Sequence, residues 1–309
     1  MIANLTNPVF GDEKLAIEYL ESIRWRLYRY CPKCGEAENT SPTKSKNHRP
    51  GLYYCNSCKG LFTVTVGTLF HGSKVPMNKW LLVFHLMVAS KKGISALQIQ
   101  RMIGVSYNTA WFMCHRVRLA MTPTETQTKK KLGGKSRPVE VDETYWGNNG
   151  KLPPGARGWN HKMKIISMVE RDGDKRSFQM PNMKAKTVIP LLKANVKSTS
   201  RMMTDEAAIY NKLHLDFASH ESVNHRAKEY ARGDVTTNTV EGSFSLLKRS
   251  FYGTFHQVSE KHLQRYLQEL DFKWNTRKIS DGKRMKKALK GINGKHLSHK
   301  ELTASRRTC

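Results

Sequence analysis

Two cysteine pairs decide the first thing this chain has to build. "CPKC" (Cys31, Cys34) and "CNSC" (Cys55, Cys58) stand with twenty residues between their inner members. Each CxxC turn brings two thiolates to one side, and four such ligands complete a tetrahedral site with Zn–S distances of about 2.3 Å. A module of about 35 residues cannot bury enough apolar surface to fold alone, so the metal supplies its folding energy. "YY" before the second pair and "LFTVTVGTLF" after it carry the aromatic and β-branched residues of strands. The spacing predicts a zinc ribbon over 31–70 with one structural Zn²⁺. In a reducing compartment such pairs are zinc ligands rather than disulfides. Cys114 and Cys309 are paired by no spacing rule. An N-terminal helix within 1–30 precedes the ribbon, with Leu15, Ile17, Tyr19, Leu20, Ile23 and Leu27 at helical spacing behind an acidic start.

Charge says what such a chain meets. Its 309 residues hold 53 Lys+Arg against 25 Asp+Glu, a net charge of +28. A chain this basic binds a polyanion, with nucleic acid the first candidate and an anionic membrane surface the second. No segment approaches the roughly 20 continuous apolar residues of a membrane span, and the N-terminus lacks a basic-then-apolar signal pattern. The expected location is the cytoplasm, with the nucleoid when DNA is bound, and no membrane partner.

Residues 71–121 read as helices. "PMNKWLLVFHLMVAS" is apolar on most sides and should be buried. "SALQIQRMI", a Gly-Val turn and "SYNTAWFMCHRVRLAM" then give helix, short turn, helix, the order of a helix-turn-helix. Its second helix would present Ser106, Tyr107, Asn108 and Thr109 to base edges, with Arg116 and Arg118 on phosphates further along. The plainer alternative is a helical hairpin packed on its neighbours. Residues 122–138 have no apolar periodicity and read as a basic linker. From Val139 the pattern becomes three strands, helix, strand, helix, strand and a helix beginning near Asn238, a mixed α/β sheet spanning 139–278. The basic stretch 279–309 is poor in large apolar residues, which predicts partial disorder or a DNA-contacting extension.

Asp142 and Asp205 fall at the ends of the first and fourth of these strands, each followed by a glutamate, Glu143 and Glu206. Close carboxylates raise one another's pKa unless a cation intervenes. Taken singly, each is an ordinary capping residue. Glu241, three residues after Asn238, has capping-box spacing with Asn in place of Ser or Thr. On the same helix Val240, Phe244, Leu247 and Phe251 form a core face, while Glu241, Ser245, Lys248 and Tyr252 share a neighbouring stripe.

These pieces together resemble the zinc-ribbon-bearing insertion-sequence transposases of the ISXO-like group. The resemblance rests on "YLESIRW", "CPKCG", "YYCNSCKGLFTVTVGTLF", "KVPMNKWLLVFHLM", "VEVDETYWGN", "TDEAAIYNKL" and the run from "NTVEGSFSLLKR" to "NTRK", and it covers roughly residues 12 to 278. It implies an RNase H-like DDE domain in which Asp142, Asp205 and Glu241 bind two Mg²⁺ or Mn²⁺, with Lys248 as the added basic residue and Arg249 beside it on DNA. The "VNHRAKEYARGD" run places His225 near the site or makes it a structural polar residue. The implied activity is phosphodiester hydrolysis and strand transfer at terminal inverted repeats, by a homo-oligomer holding repeat and target DNA. A transposase-derived regulator without catalysis would show a broken triad, and this one is intact. A nuclease on the same fold gives no reason for a zinc ribbon and helix-turn-helix in front.

Overall fold

The computed structural model describes residues 4–43, 49–147 and 161–304. Parts of the expected 1–30, 31–70, 139–278 and 279–309 segments, including Asn148 and Cys309, lie outside the described residues. The chain forms two compact units. One runs to Met121 and takes up the stretch from Lys278 onward, and the other is Thr122–Arg277.

In the first unit α1 (Glu13–Arg24) starts at Asp12, whose carboxylate accepts the Leu15 N–H at 2.9 Å, and buries Ala16, Leu20 and Ile23. The ribbon is an antiparallel sheet of β1 (Thr40–Pro42), β2 (Tyr53–Cys55) and β3 (Gly60–Phe62). Trp25 packs edge-on against both Tyr53 and Phe62. The strand expected through "LFTVTVGTLF" stops at Phe62, because the Val66 N–H returns to the Thr63 carbonyl and the Thr63 and Thr65 hydroxyls bond each other at 2.7 Å. Helix α2 (Met77–Ala89) is buried on almost every side, as its composition requires. Helices α3 (Ala96–Ile103) and α4 (Tyr107–Met121) follow, joined through Gly104 at φ +63°, the left-handed position that closes a helix and favours glycine.

The second unit opens with α5 (Glu125–Lys129), closed by a capping box between Thr124 and Gln127. The expected linker is therefore structured in part. Leu132 is buried in the core, and Gly133 lies so close to its neighbours that a Cβ would sit 2.2 Å from Ser200 Oγ. Strands β4 (Val139–Trp146), β5 (Met163–Glu170), β6 (Lys175–Met180), β7 (Arg201–Thr204) and β8 (Ser219–Ser222) form a sheet in the order β6-β5-β4-β7-β8. The first three pair antiparallel, and β7 and β8 join in parallel. This is the mixed RNase H-like sheet expected, with helices on both faces. On one face α6 (Ala185–Asn195) packs Val188 and Leu192 with Val139, Val141, Ile166 and Met168. On the other, α7 (Asn238–Ser250) and α8 (Glu260–Asn275) pack Val240, Phe244, Leu247 and Leu267 with Ile165 and Val169. A π-helical turn, Phe251–Phe255, ends α7. The helix expected over "AAIYNKLHLDF" is instead two 3-10 turns, Ala208–Tyr210 and Leu213–Leu215. Asp205 Oδ1 accepts the Ala207 N–H at 3.1 Å, a side-chain turn that competes with helix initiation there. A two-residue-strand hairpin, β9 (Ala231–Arg232) and β10 (Val235–Thr236), precedes α7.

Over its described residues, to Ala304, the basic tail is folded, which corrects the expectation of disorder there. Helix α9 (Asp281–Lys290) packs on α2 through a face made by Met285, Ala288 and Leu289, and Ile292, Leu297 and Leu302 are buried beyond it, the last in the short α10 (His299–Thr303). Apolar residues at helical spacing were present among the lysines but too sparse to raise the mean hydropathy. Burial corrects two of the expected phosphate contacts, the first of them through this packing. Arg116 is buried, its Nε donating to the Leu297 carbonyl at 3.1 Å and its guanidinium over the Phe112 ring, and Arg118 is buried as well.

Candidate active site

Strand β4 alternates its side chains between the two layers of the second unit. Glu140, Asp142, Thr144 and Trp146 share one face, and Val139, Val141 and Glu143 the other. Asp142 lies in the middle of β4, where its expected place was the strand end. The functional edge comes from the neighbour. Parallel pairing with β7 covers only Val139↔Met202 and Glu140↔Met203, and β7 ends at Thr204. Asp205 is the next residue, so the register carried on by two positions sets it opposite Asp142 where the strands part.

Carboxylate oxygens of Asp142, Glu143 and Asp205 lie within 4.8 Å of one another. Asp142 Oδ1 accepts the Glu143 N–H at 2.7 Å, and Glu143 Oε2 accepts the hydroxyl of the fully buried Tyr210 at 2.6 Å. Burial pushes Asp142 up to about 8, and the charges of Glu143, Asp205 and Glu241 add to the rise. Burial likewise raises Glu143 and Asp205. A hard cation among these oxygens would relieve both the burial and the repulsion, so the donor set fits Mg²⁺ or Mn²⁺.

Glu241 sits in the first turn of α7, near enough for its charge to act on Asp142, but its carboxylate is not part of the three-residue cluster. Glu241 Oε1 accepts the Thr237 hydroxyl at 2.6 Å and lies 3.2 Å from His225 Nε2. His225 also faces the Tyr230 ring, and its backbone N–H donates to Glu206 Oε2 at 2.9 Å. The expected capping box is absent: Thr237, not Asn238, precedes the helix, and no side chain of that residue caps it.

The cap comes from the sheet. Glu140, fully buried on the same face of β4 as Asp142, accepts the N–H of Thr239 at 2.8 Å and of Val240 at 3.0 Å, and the Thr239 hydroxyl at 2.8 Å. Arg171 adds Nε at 3.1 Å and Nη2 at 2.8 Å, while its Nη1 holds the Asp234 carbonyl. One carboxylate therefore joins the strand of Asp142 to the turn of Glu241 across 100 residues of sequence. A negative charge at a helix N-terminus is favoured by the helix dipole as well as by these donors. The sequence reading passed over Glu140 and assigned nothing to Glu143. The available signal was a charged residue at an inward position two residues before Asp142.

Lys248 and Arg249 are exposed in the last turns of α7, with Arg249 Nε on the Ser245 carbonyl at 3.1 Å. In the first unit the Sγ atoms of Cys31, Cys34, Cys55 and Cys58 cluster, with 3.8 Å between Cys31 and Cys58 and 3.6 Å between Cys34 and Cys55. Four sulfurs around a tetrahedral zinc stand about 3.8 Å apart, so the cluster fits that ion. Without an ion the thiols share their protons unevenly: the Cys58 backbone N–H draws the Cys55 thiol down to about 7, while Cys34 and Cys58 are raised. At the start of α4, Ser106, Tyr107 and Asn108 are exposed and Thr109 half-buried. Ser106 Oγ accepts the Thr109 N–H at 3.2 Å and bonds its hydroxyl at 2.9 Å, so these two residues cap the helix. No helix of the described residues is long and apolar enough to cross a membrane.

Comparison with known proteins gives two family matches along the chain. Residues 131–275 match the ISXO2-like transposase domain, and residues 11–60 match the transposase zinc-ribbon domain. A protein in transposable element ISH50 of Halobacterium salinarum is 30% identical over 275 residues, covering 84% of this chain and 89% of that protein. A transposase-like protein of Haemophilus influenzae is 26% identical over 100 residues, 32% of this chain and 80% of its own length.

Proposed function

This chain belongs to the ISXO2-like family of insertion-sequence transposases, and from that premise we propose that it cuts and joins DNA at the terminal inverted repeats of its element. The observation that carries the reading is the meeting of Asp142 and Asp205 where β4 and β7 part, with Glu241 beside them on α7. Asp142, Asp205 and Glu241 would hold the divalent ions, Mg²⁺ or Mn²⁺, two per site. When bound, such a pair supplies Lewis acidity to the attacking and leaving oxygens of an in-line displacement.

The chain's own residues set the geometry. Glu140 fixes the start of α7 against β4, and Thr237 and His225 hold the Glu241 carboxylate. Glu143 is oriented by Tyr210 and supports Asp142 through its backbone N–H. Lys248 and Arg249 bind the phosphate and the strand flanking it, where preorganised positive charge counters the charge that develops on the phosphoryl oxygens. Water attacks the phosphorus at the element's end and breaks the P–O3′ bond, and the freed 3′-hydroxyl then attacks a phosphorus of the target DNA, displacing that strand's own 3′-oxygen as a hydroxyl. The zinc ribbon and the start of α4, through Tyr107 and Asn108 with Ser106 and Thr109 shaping the turn, bind the repeats. The protein acts as a homo-oligomer that pairs two ends, in the cytoplasm and on the nucleoid.

The test is cleavage of a labelled duplex that carries the element's end and its flank. Wild type should cut it with Mg²⁺ or Mn²⁺ and not with EDTA. Asp205→Asn should bind the duplex with unchanged affinity and leave it intact; full cleavage by that variant sinks the assignment.

A further inference from the structure

Helix α9 carries a feature that packing does not explain. Lys283, Lys286, Lys287 and Lys290 are all exposed. At 100° per residue they fall within an arc of about 100°, directly opposite Met285, Ala288 and Leu289 on the buried face. They form four like-charge pairs at spacings of three and four residues, each of which repels. A merely solvated helix face relieves this by mixing signs, as α1 does with Glu13, Lys14, Glu18, Glu21 and Arg24. On α9 the one acidic residue, Asp281, is paired with Arg284 at 2.7 Å and lies off the stripe. Among the described residues none of the four lysines has an acidic partner.

We infer that this stripe is a phosphate-tracking face for duplex DNA, a deepening of the transposase reading on which it rests. The stripe rises about 10 Å along the helix, a length over which one DNA strand presents about three phosphates. The buried Arg116 fits the same picture, because the segment whose Leu297 carbonyl it bonds presents four other cations to solvent. Lysine, a flexible point charge without planar donors, suits backbone contact rather than base reading. The face therefore adds affinity without sequence preference and leaves discrimination to the start of α4.

The experiment is the salt dependence of DNA binding by the full chain, comparing wild type with the quadruple variant Lys283→Gln, Lys286→Gln, Lys287→Gln, Lys290→Gln. The slope of log K against log salt should become shallower by about 3 to 4, equally on repeat-bearing and unrelated duplexes. Lys286→Gln alone should reduce it by about 0.9. A control removing four exposed lysines from elsewhere, Lys74, Lys130, Lys197 and Lys212, should change it by less than half as much. A quadruple variant whose slope changes by less than about one, or a control that matches it, overturns the inference. So does loss of binding to anionic phospholipid vesicles with the DNA slope intact. A wild type with no salt-dependent DNA binding would instead defeat the transposase reading itself.

Discussion

The cysteine cluster draws its four ligands from 28 residues and two tight turns, whereas the carboxylates come from β4, the end of β7 and the start of α7, 99 residues from Asp142 to Glu241. In the ribbon, spacing alone dictates geometry, and the ion that would fill the site also folds it. In the second unit the sheet and its helices set the carboxylates near one another without an ion, and burial with their mutual repulsion pushes Asp142 up to about 8. The ribbon's four ligands need only two short turns, whereas the carboxylate cluster needs a whole sheet.

The largest effect should come from the residue on which sequence and structure differ most. Glu241 is implied by resemblance, while Glu143 is the residue clustered with the aspartates. Glu241→Gln should lower metal-dependent cleavage by about 1,000-fold or more, an effect of the size seen when an essential electrostatic group is lost. Glu143→Gln, whose Oε2 is already occupied by Tyr210, should cost roughly tenfold, as a positioning group does. The reverse ranking in a single-turnover cleavage assay would reassign the third ligand. Next in size, Cys31→Ser should remove the zinc, measured as metal per chain, and melt the ribbon while the thermal transition of the catalytic unit stays in place. A variant with normal zinc content breaks the comparison.

Glu140→Gln should destabilise the catalytic unit by about 2–4 kcal/mol, because it leaves the buried side of Arg171 and two helix N–H groups with a weaker acceptor. Its metal titration should also shift, with Mn²⁺ binding weakened by about tenfold, and calorimetry on the folded protein reads this directly. A melting change with unchanged Mn²⁺ affinity would make Glu140 a stabiliser only. The last test is of pH. Asp142, Glu143 and Asp205 are raised above their unfolded values, so the folded state holds protons that the unfolded state has released. That contribution is complete below about pH 4 and is lost as pH rises through about 8 for Asp142. With EDTA, the catalytic unit's melting temperature should fall across this window. Added Mg²⁺ should restore it, and more so at higher pH; equal Mg²⁺ stabilisation at pH 5 and pH 8 would argue against the cluster as the binding site.

What the sequence made legible follows the same division. The cysteines, α2, α4 and the strands around Asp142 and Asp205 were readable because local spacing specifies them. Glu140 was not, since nothing near it in sequence shows that its partners are Thr239, Val240 and Arg171. Nor was the fate of Arg116, which donates to a carbonyl 181 residues later. The tail misled because composition averages over faces: Met285, Ala288 and Leu289 are few, but they all lie on one side.

That tail also has a consequence in time. Its apolar face completes the core on α2 and α4, so the zinc-bearing unit is left unfinished while the whole catalytic unit is being translated. Until Met285, Leu289 and Leu302 have left the ribosome, the nascent chain exposes the surface that they cover. The zinc-ribbon unit therefore matures last although it is begun first, and a chain cut short after Arg277 has a whole five-stranded sheet attached to an open core.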